Sequence, residues 1–367
     1  MSETEVAETT TPEATPEASG VSKFKPGVGV DVGTANICVC RQTEDGEYSV
    51  RHYRNMLFEL EATEEASDLL SRSDYLYVKS DGRYYIVGDD ALKLVNAIGK
   101  GEIIRPMSNG LLNPSLKRAQ SLLNYILEAV LGKPIVADES LRFSLPGNPI
   151  DKPDTNNLFH QMVLIEFFKR LGYSPKPINE ALASLYSEAP SMDVEGEGTY
   201  PLTGYSISFG GGMANSCFAL RGMSLVDFSS TKCGDYIDNQ VSLVTGTPLG
   251  KVIRAKEKSL DLDKVNNDEP VQQALGIYYD EMIYRVIRNI GRELAKQNHS
   301  VDGAVDVIVC GGSAMPNGFI KRLKASLDNT DIPFKIKDVR LAGSPFYSVS
   351  QGACLAAQSD AEKREAS

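Results

Sequence analysis

Apolar residues fall into two rhythms that alternate along the chain from about residue 28 onward. Short apolar runs at 28–30, 141–145 and 305–310 read as strands, the last continuous enough to be buried on both faces. Longer stretches repeat every three or four residues. From about 269 to 296, Val271, Leu275, Tyr279, Met282, Val286, Ile290 and Leu294 make one stripe, the pattern of a core-facing helix. Helices are also expected at about 115–131 and 157–171. Two hairpins are expected early on. One pairs 28–30 with 37–40 about a turn at Gly33, and the other pairs 75–79 with 83–87 about Ser80-Asp81-Gly82. Strand and helix signals taking turns in this way predict an α/β protein.

Neither rhythm reaches the ends. Residues 1–23 are mostly Glu, Thr, Pro and Ala, which predicts a disordered acidic tail, and the polar 358–367 reads the same way. The chain's 367 residues suggest roughly two domains. Lys and Arg number 38 against 49 Asp and Glu, a net charge of −11; five of the acids lie in the first twenty residues, leaving −6 for the rest. This balance disfavours a surface built to coat nucleic acid or an anionic membrane, and no direct nucleic-acid partner is expected. No run approaches the ~18 apolar residues a membrane span needs. No apolar segment follows a basic start, so a cytoplasmic protein is expected. The six cysteines (Cys38, Cys40, Cys217, Cys233, Cys310, Cys354) sit mostly in strand-like stretches and read as reduced, buried thiols. Cys38 and Cys40 share one strand face, but no second Cys or His pair stands at ligand spacing, and His52, His160 and His299 are scattered.

Three glycine turns each follow a strand. Asp31-Val32-Gly33-Thr34-Ala35-Asn36 could bring backbone N–H groups to a phosphate through the conformational freedom of Gly33, with Thr34 adding a hydroxyl. Asp31, at its strand end, could hold a divalent cation through water. The second turn is Ser208-Phe209-Gly210-Gly211-Gly212-Met213-Ala214-Asn215. The third is Cys310-Gly311-Gly312-Ser313-Ala314-Met315-Pro316, where a strand runs into a helix. Neither a Walker P-loop nor a GxGxxG fingerprint is present.

The order and spacing of these turns resemble the actin-like ATPase superfamily, which includes actin, the bacterial actin MreB, plasmid-segregating ParM, chaperone ATPase domains and sugar kinases. The second turn follows the first by about 175 residues, and the third comes about 100 beyond. Asp31 to Asn36 is similar to the MreB first phosphate motif, and Arg105-Pro106-Met107 with Asn109-Gly110-Leu111 resembles the MreB segment after its first-lobe insertion. The run from Ile178 to Tyr186 resembles the first connecting helix, with Glu180 at the position that handles the attacking water. Cys233 to Asp238 resembles the GGDxFD helix start, Ala255 to Lys258 the adenine-side helix, and Gly352 the glycine of the closing helix.

The resemblance implies an actin-like two-lobed fold, each lobe a mixed sheet flanked by helices, with ATP or ADP and Mg²⁺ in the cleft between them. It implies a first lobe at 24–188 with a small insertion at about 55–100, completed by a helix at about 346–357. The second lobe would be 200–345, with an insertion at about 236–300. Asp31 would serve the metal. Gly33, Thr34, Ala35, Asn36, Gly210, Gly211 and Gly212 would take the phosphates. Gly311, Gly312, Ser313 and Met315, with Lys256 and Glu257, would take the adenosine. Glu180 would orient or activate the water; its bland reading is an acid stabilised at a helix N-terminus.

Two positions depart from the family. Ser208 stands where Asp is usual, and Met213 where MreB has Thr, so nucleotide binding is expected to outlast fast hydrolysis. The first reading is a prokaryotic actin that binds ATP and self-associates into filaments, with slow turnover. The alternative is a nucleotide-binding scaffold or pseudo-ATPase that does not polymerise. Peripheral contact with a membrane or an adaptor protein stays open.

Overall fold

The structure, a computed structural model, describes residues 24–98, 101–296 and 303–366. The expected acidic tail at 1–23 and His299 lie outside these residues. Strands β1 (Val28–Val32), β2 (Asn36–Gln42) and β3 (Tyr48–Arg54) form an antiparallel meander. Next, β4 (Leu57–Glu61), α1 (Glu64–Ser71), β5 (Tyr77–Ser80), β6 (Arg83–Val87) and α2 (Asp89–Ile98) build a satellite around Phe58, Leu70, Tyr84 and Ile86. Its β5–β6 turn has Asp81 at φ 50° and Gly82 at φ 70°, the doubly left-handed turn that closes two-residue hairpins. The small ladder β7 (Met107–Ser108) and β8 (Leu111–Leu112) leads to α3 (Ala119–Leu131), β9 (Ser140–Leu145), α4 (Leu158–Arg170) and β10 (Ser174–Asn179). Helix α3 starts later than its apolar period suggested, because the Asn113 side chain caps Ser115 N–H and 114–118 stay in turns. β9 joins β1 in parallel and β10 joins β9, so the first sheet reads β10-β9-β1-β2-β3.

After α5 (Glu180–Glu188) and the hairpin β11 (Ser191–Val194) and β12 (Gly198–Pro201), a second meander follows: β13 (Gly204–Phe209), β14 (Ala214–Leu220) and β15 (Met223–Ser230). Helices α6 (Gly234–Thr245), α7 (Leu249–Ser259) and α8 (Pro270–Ala295) come next. The chain returns through β16 (Ala304–Cys310), α9 (Phe319–Asp328) and β17 (Lys335–Leu341). This sheet reads β15-β14-β13-β16-β17. Strand for strand it repeats the first: a meander whose leading strand pairs in parallel with one strand on its far side, which in turn pairs in parallel with another. Two related lobes result, each a mixed sheet flanked by helices and each with its own apolar core. The expected stripe of α8 fills the second core, with Leu275, Tyr279, Met282, Val286, Ile290 and Leu294 all buried.

The lobes exchange helices. α5 leaves the last strand of the first sheet and packs on β13, β14 and β16 of the second, while α10 (Ser348–Glu365) leaves the second and packs on β1, β2 and β9. The two helices cross at Gly352, where a Cβ would sit 1.7 Å from the Ala183 carbonyl oxygen. A third joint is the loop after β9. Ile150 N–H donates to Ser229 O, Ser229 N–H to Asn148 O, and Asp151 accepts from Thr231 N–H.

The C-terminal stretch corrects the sequence reading. Residues 358–365 are not a disordered tail but the last turns of α10. Their polar side chains have polar partners: Gln358 Nε2 donates to Lys25 O, Asp360 pairs with Arg142 at 2.8 Å, and Glu362 with Lys25 at 2.7 Å. Composition alone could not reveal partners so distant in sequence. All six cysteines are free and buried. No helix among the described residues is long and apolar enough to cross a membrane.

Candidate functional site

β1 and β13 hold equivalent places in the two sheets, and the turns after them meet in the cleft. A Cβ on Gly211 would lie 2.9 Å from Ala35 Cβ, and one on Gly212 only 2.3 Å from Thr34 Oγ1 and 2.4 Å from Gly110 N. No side chain longer than hydrogen fits at Gly212. Gly33 is needed for a different reason from the one read in the sequence. Its φ is not left-handed; instead a Cβ would crowd the Asn36 carbonyl oxygen at 2.6 Å. Thr34 Oγ1 accepts from Gly110 N–H, which ties the first turn to the 105–113 segment. Asn36 opens β2 opposite Arg54. Gly210 N–H donates to Met213 O, closing the second turn, and the Met213 side chain lies buried against Gly110.

Asp31 and Glu180 face this junction from the ends of β1 and β10. Asp31 Oδ1 accepts from Ser144 Oγ at 2.7 Å, and the same hydroxyl accepts from Val32 N–H. Both Glu180 oxygens are held: Oε1 accepts from Ser208 Oγ at 2.6 Å and Oε2 from Asn215 Nδ2 at 2.8 Å. Asn179 caps α5 through Leu182 N–H, so Glu180 also occupies the helix's first turn, as its bland reading held. Surrounding protein pushes the Asp31 carboxyl upward against its Ser144 bond. Burial, and then the negative charge of Asp31, push Glu180 upward against its two hydrogen bonds.

The third turn lies beneath the second. Gly311, at φ 93°, passes so close under Phe209 that a Cβ would meet its carbonyl oxygen at 2.3 Å. Ser313 Oγ donates to Gly210 O at 2.8 Å, and Gly312 faces the Phe346 ring. Met315 is half-exposed on the rim of a hollow of about 410 Å³ shared with Asp263, Lys321 and Leu341. Lys256 is not a free cation: it pairs with Asp238 at 2.6 Å in a largely buried bridge and reaches Gly234 O. Glu257 accepts across the cleft from Arg54, which also holds Asp89.

Ser144, Asn215, Arg105 and Asp235 complete the site, and none was assigned a role from sequence. Asn215 was within reach, because pairing the β13–β14 hairpin puts it directly opposite Ser208. Ser144 needed the parallel β1–β9 register, which no local pattern announces.

The donor set fits a magnesium nucleotide. Two carboxylates, with no cationic side chain bonded to either among the described residues, suit a water-shelled divalent ion. The glycine turns bring backbone to the junction with no side-chain bulk of their own. Among the described residues no cluster of three or more His, Cys, Asp or Glu forms a metal cage.

A family model described as Volactin matches residues 27–357. The chain belongs to the Volactin family. No curated protein matches its sequence. Among solved structures, the MamK double helical filament matches with a TM-score of 0.64 at 15% identity, over 90% of this chain and 98% of that one. MreB5 of Spiroplasma citri bound to ADP gives 0.62 at 16% identity over 94% and 99%, and bound to AMPPNP 0.60 at 16% over 93% and 98%. At such identities the likeness is one of fold. This Volactin-family chain therefore has the actin-like two-lobed fold, in an arrangement resembling MreB.

Proposed function

We propose that the protein binds ATP with Mg²⁺ between its lobes and assembles into cytoplasmic, nucleotide-dependent filaments with slow hydrolysis. The observation that carries this reading is the meeting of two equivalent strand-turns over Asp31 and Glu180. Gly33 to Asn36 and Gly210 to Gly212 would bind the phosphates through backbone N–H groups and Thr34. Asp31 would hold the cation's water shell, and the bound cation would neutralise charge on the phosphates. Glu180, steadied by Ser208 and Asn215, would orient the attacking water. Gly311, Gly312, Ser313 and Met315 would flank the adenosine, with Lys256 and Glu257 opposite. The two turns touch in this structure, so phosphates between them would require the lobes to part locally. Head-to-tail contacts between such lobes do not close on themselves and would give open polymers.

Sedimentation and negative-stain microscopy with ATP, ADP and no nucleotide test the reading. ATP-dependent pelleting and visible filaments support it, and a monomer at high concentration with ATP overturns the filament half. Ser208 and Met213 favour a second reading, a nucleotide-binding scaffold that does not polymerise. Tight ATP binding without pelleting or turnover would support that one.

A further inference from the structure

The guanidinium of Arg105 lies where the two phosphate turns converge. From the first lobe, its Nη2 donates to the carbonyl oxygen of Thr34 at 3.1 Å. Its two Nη atoms also reach the Asp235 carboxylate at the start of α6, in bonds of 3.2–3.4 Å. Asp235 in turn belongs to the second turn, since its N–H donates to Gly211 O at 2.7 Å. The fork thus bridges Thr34 on one side and the Gly211 turn on the other. It is underused: Nε is buried with no partner, and the bonds to Asp235 are long for charged pairs. The side chain is 32% exposed, so a ligand in the cleft could reach it. Among the described residues, Asp31, Glu180 and Asp235 bring acids to this junction, while Lys256 is committed to Asp238.

We propose that Arg105 distinguishes a nucleoside triphosphate from a diphosphate by exchanging its bridge to Asp235 for the terminal phosphate. This rests on the nucleotide-binding reading above. A planar fork suits the doubly charged end of a triphosphate better than it suits one distant carboxylate. With a terminal phosphate beside Thr34, the guanidinium would trade its Asp235 bonds for phosphate oxygens while keeping the Thr34 carbonyl. With a diphosphate, the Asp235 bridge would persist. Arg105 is therefore a specificity and positioning residue.

Calorimetric titration of ATP and ADP, with Mg²⁺ present, into wild type, Arg105→Gln, Arg105→Lys and Asp235→Asn tests this. Arg105→Gln should weaken ATP by about tenfold or more and change ADP by less than about threefold. Arg105→Lys, which keeps the charge but not the fork, should fall between, and guards against a folding defect in the Gln variant. Asp235→Asn should leave ATP affinity equal or tighter, because the fork is released toward the ligand. Equal losses for both nucleotides, or equal effects of Arg105→Gln and Asp235→Asn, would mean the pair is only a structural bridge and would overturn the proposal. If wild type bound neither nucleotide, the functional reading would fall first and this one with it.

Discussion

Single atoms decide much at this site. Ser208 looks, in sequence, like a lost carboxylate, but its hydroxyl holds Glu180 at 2.6 Å. An Asp there would add a third acid beside Asp31 and Glu180, to neither of which a cationic side chain among the described residues is bonded. The variant Ser208→Asp tests that crowding. In chelator the variant should lose about 3 kcal/mol of stability, and Mg²⁺ should restore most of it. Urea melts with and without Mg²⁺ check this, and equal stability in both would refute it. Glu180→Ala should leave nucleotide affinity within a few-fold and lower any ATPase rate by about 10²-fold, measured at saturating ATP. His160 is buried on α4 with neither ring nitrogen bonded, and burial lowers its pKa from 6.5 to about 4. The unfolded chain takes the proton more readily. Stability is therefore intact above about pH 6.5 and drains away as pH falls toward 4, by about 3 kcal/mol in all. Melts of wild type and His160→Leu across that range should differ in slope, and parallel curves would show that another group carries the acid sensitivity.

Among the elements, those with strong local signals were legible: the α8 stripe, the Asp81-Gly82 hairpin and the buried β16 run. The end of α10 was not. Its polar residues look like a tail because their partners, Lys25, Arg142 and Lys176, lie roughly 180 to 340 positions away. The same limit hid Ser144 and Arg105, whose significance arises only when separate elements are brought together. Asp31 and the glycine turns could be singled out because their strand-turn context is local, and Glu180 because the run around it resembles a family helix. Truncating after Ala357 should therefore destabilise the first lobe by about 2–4 kcal/mol, since it removes a buried glutamine and a partly buried ion pair together. Chemical denaturation reads this directly. An unchanged midpoint would vindicate the disordered-tail reading.

At the scale of the whole molecule, self-association should not depend on the first 22 residues, which carry five acids and no basic side chain. Deleting them lowers the net negative charge of each subunit and with it the mutual repulsion of neighbours. ATP-dependent pelleting should persist or rise slightly in the truncated protein. Loss of pelleting would assign those residues a positive part in assembly.

The exchange of α5 and α10 also bears on how the chain comes apart. Each sheet is covered by a helix that enters from the other lobe, and α5 and α10 share a third apolar cluster with Cys217, Ile308 and Cys310, so neither lobe can melt without uncovering its neighbour. Two apolar cores would ordinarily give two calorimetric peaks; these should give one, with van't Hoff and calorimetric enthalpies in agreement. During synthesis the same arrangement imposes a wait. The first lobe lacks its last helix until residue 365 has left the ribosome, so the half made first is also finished last.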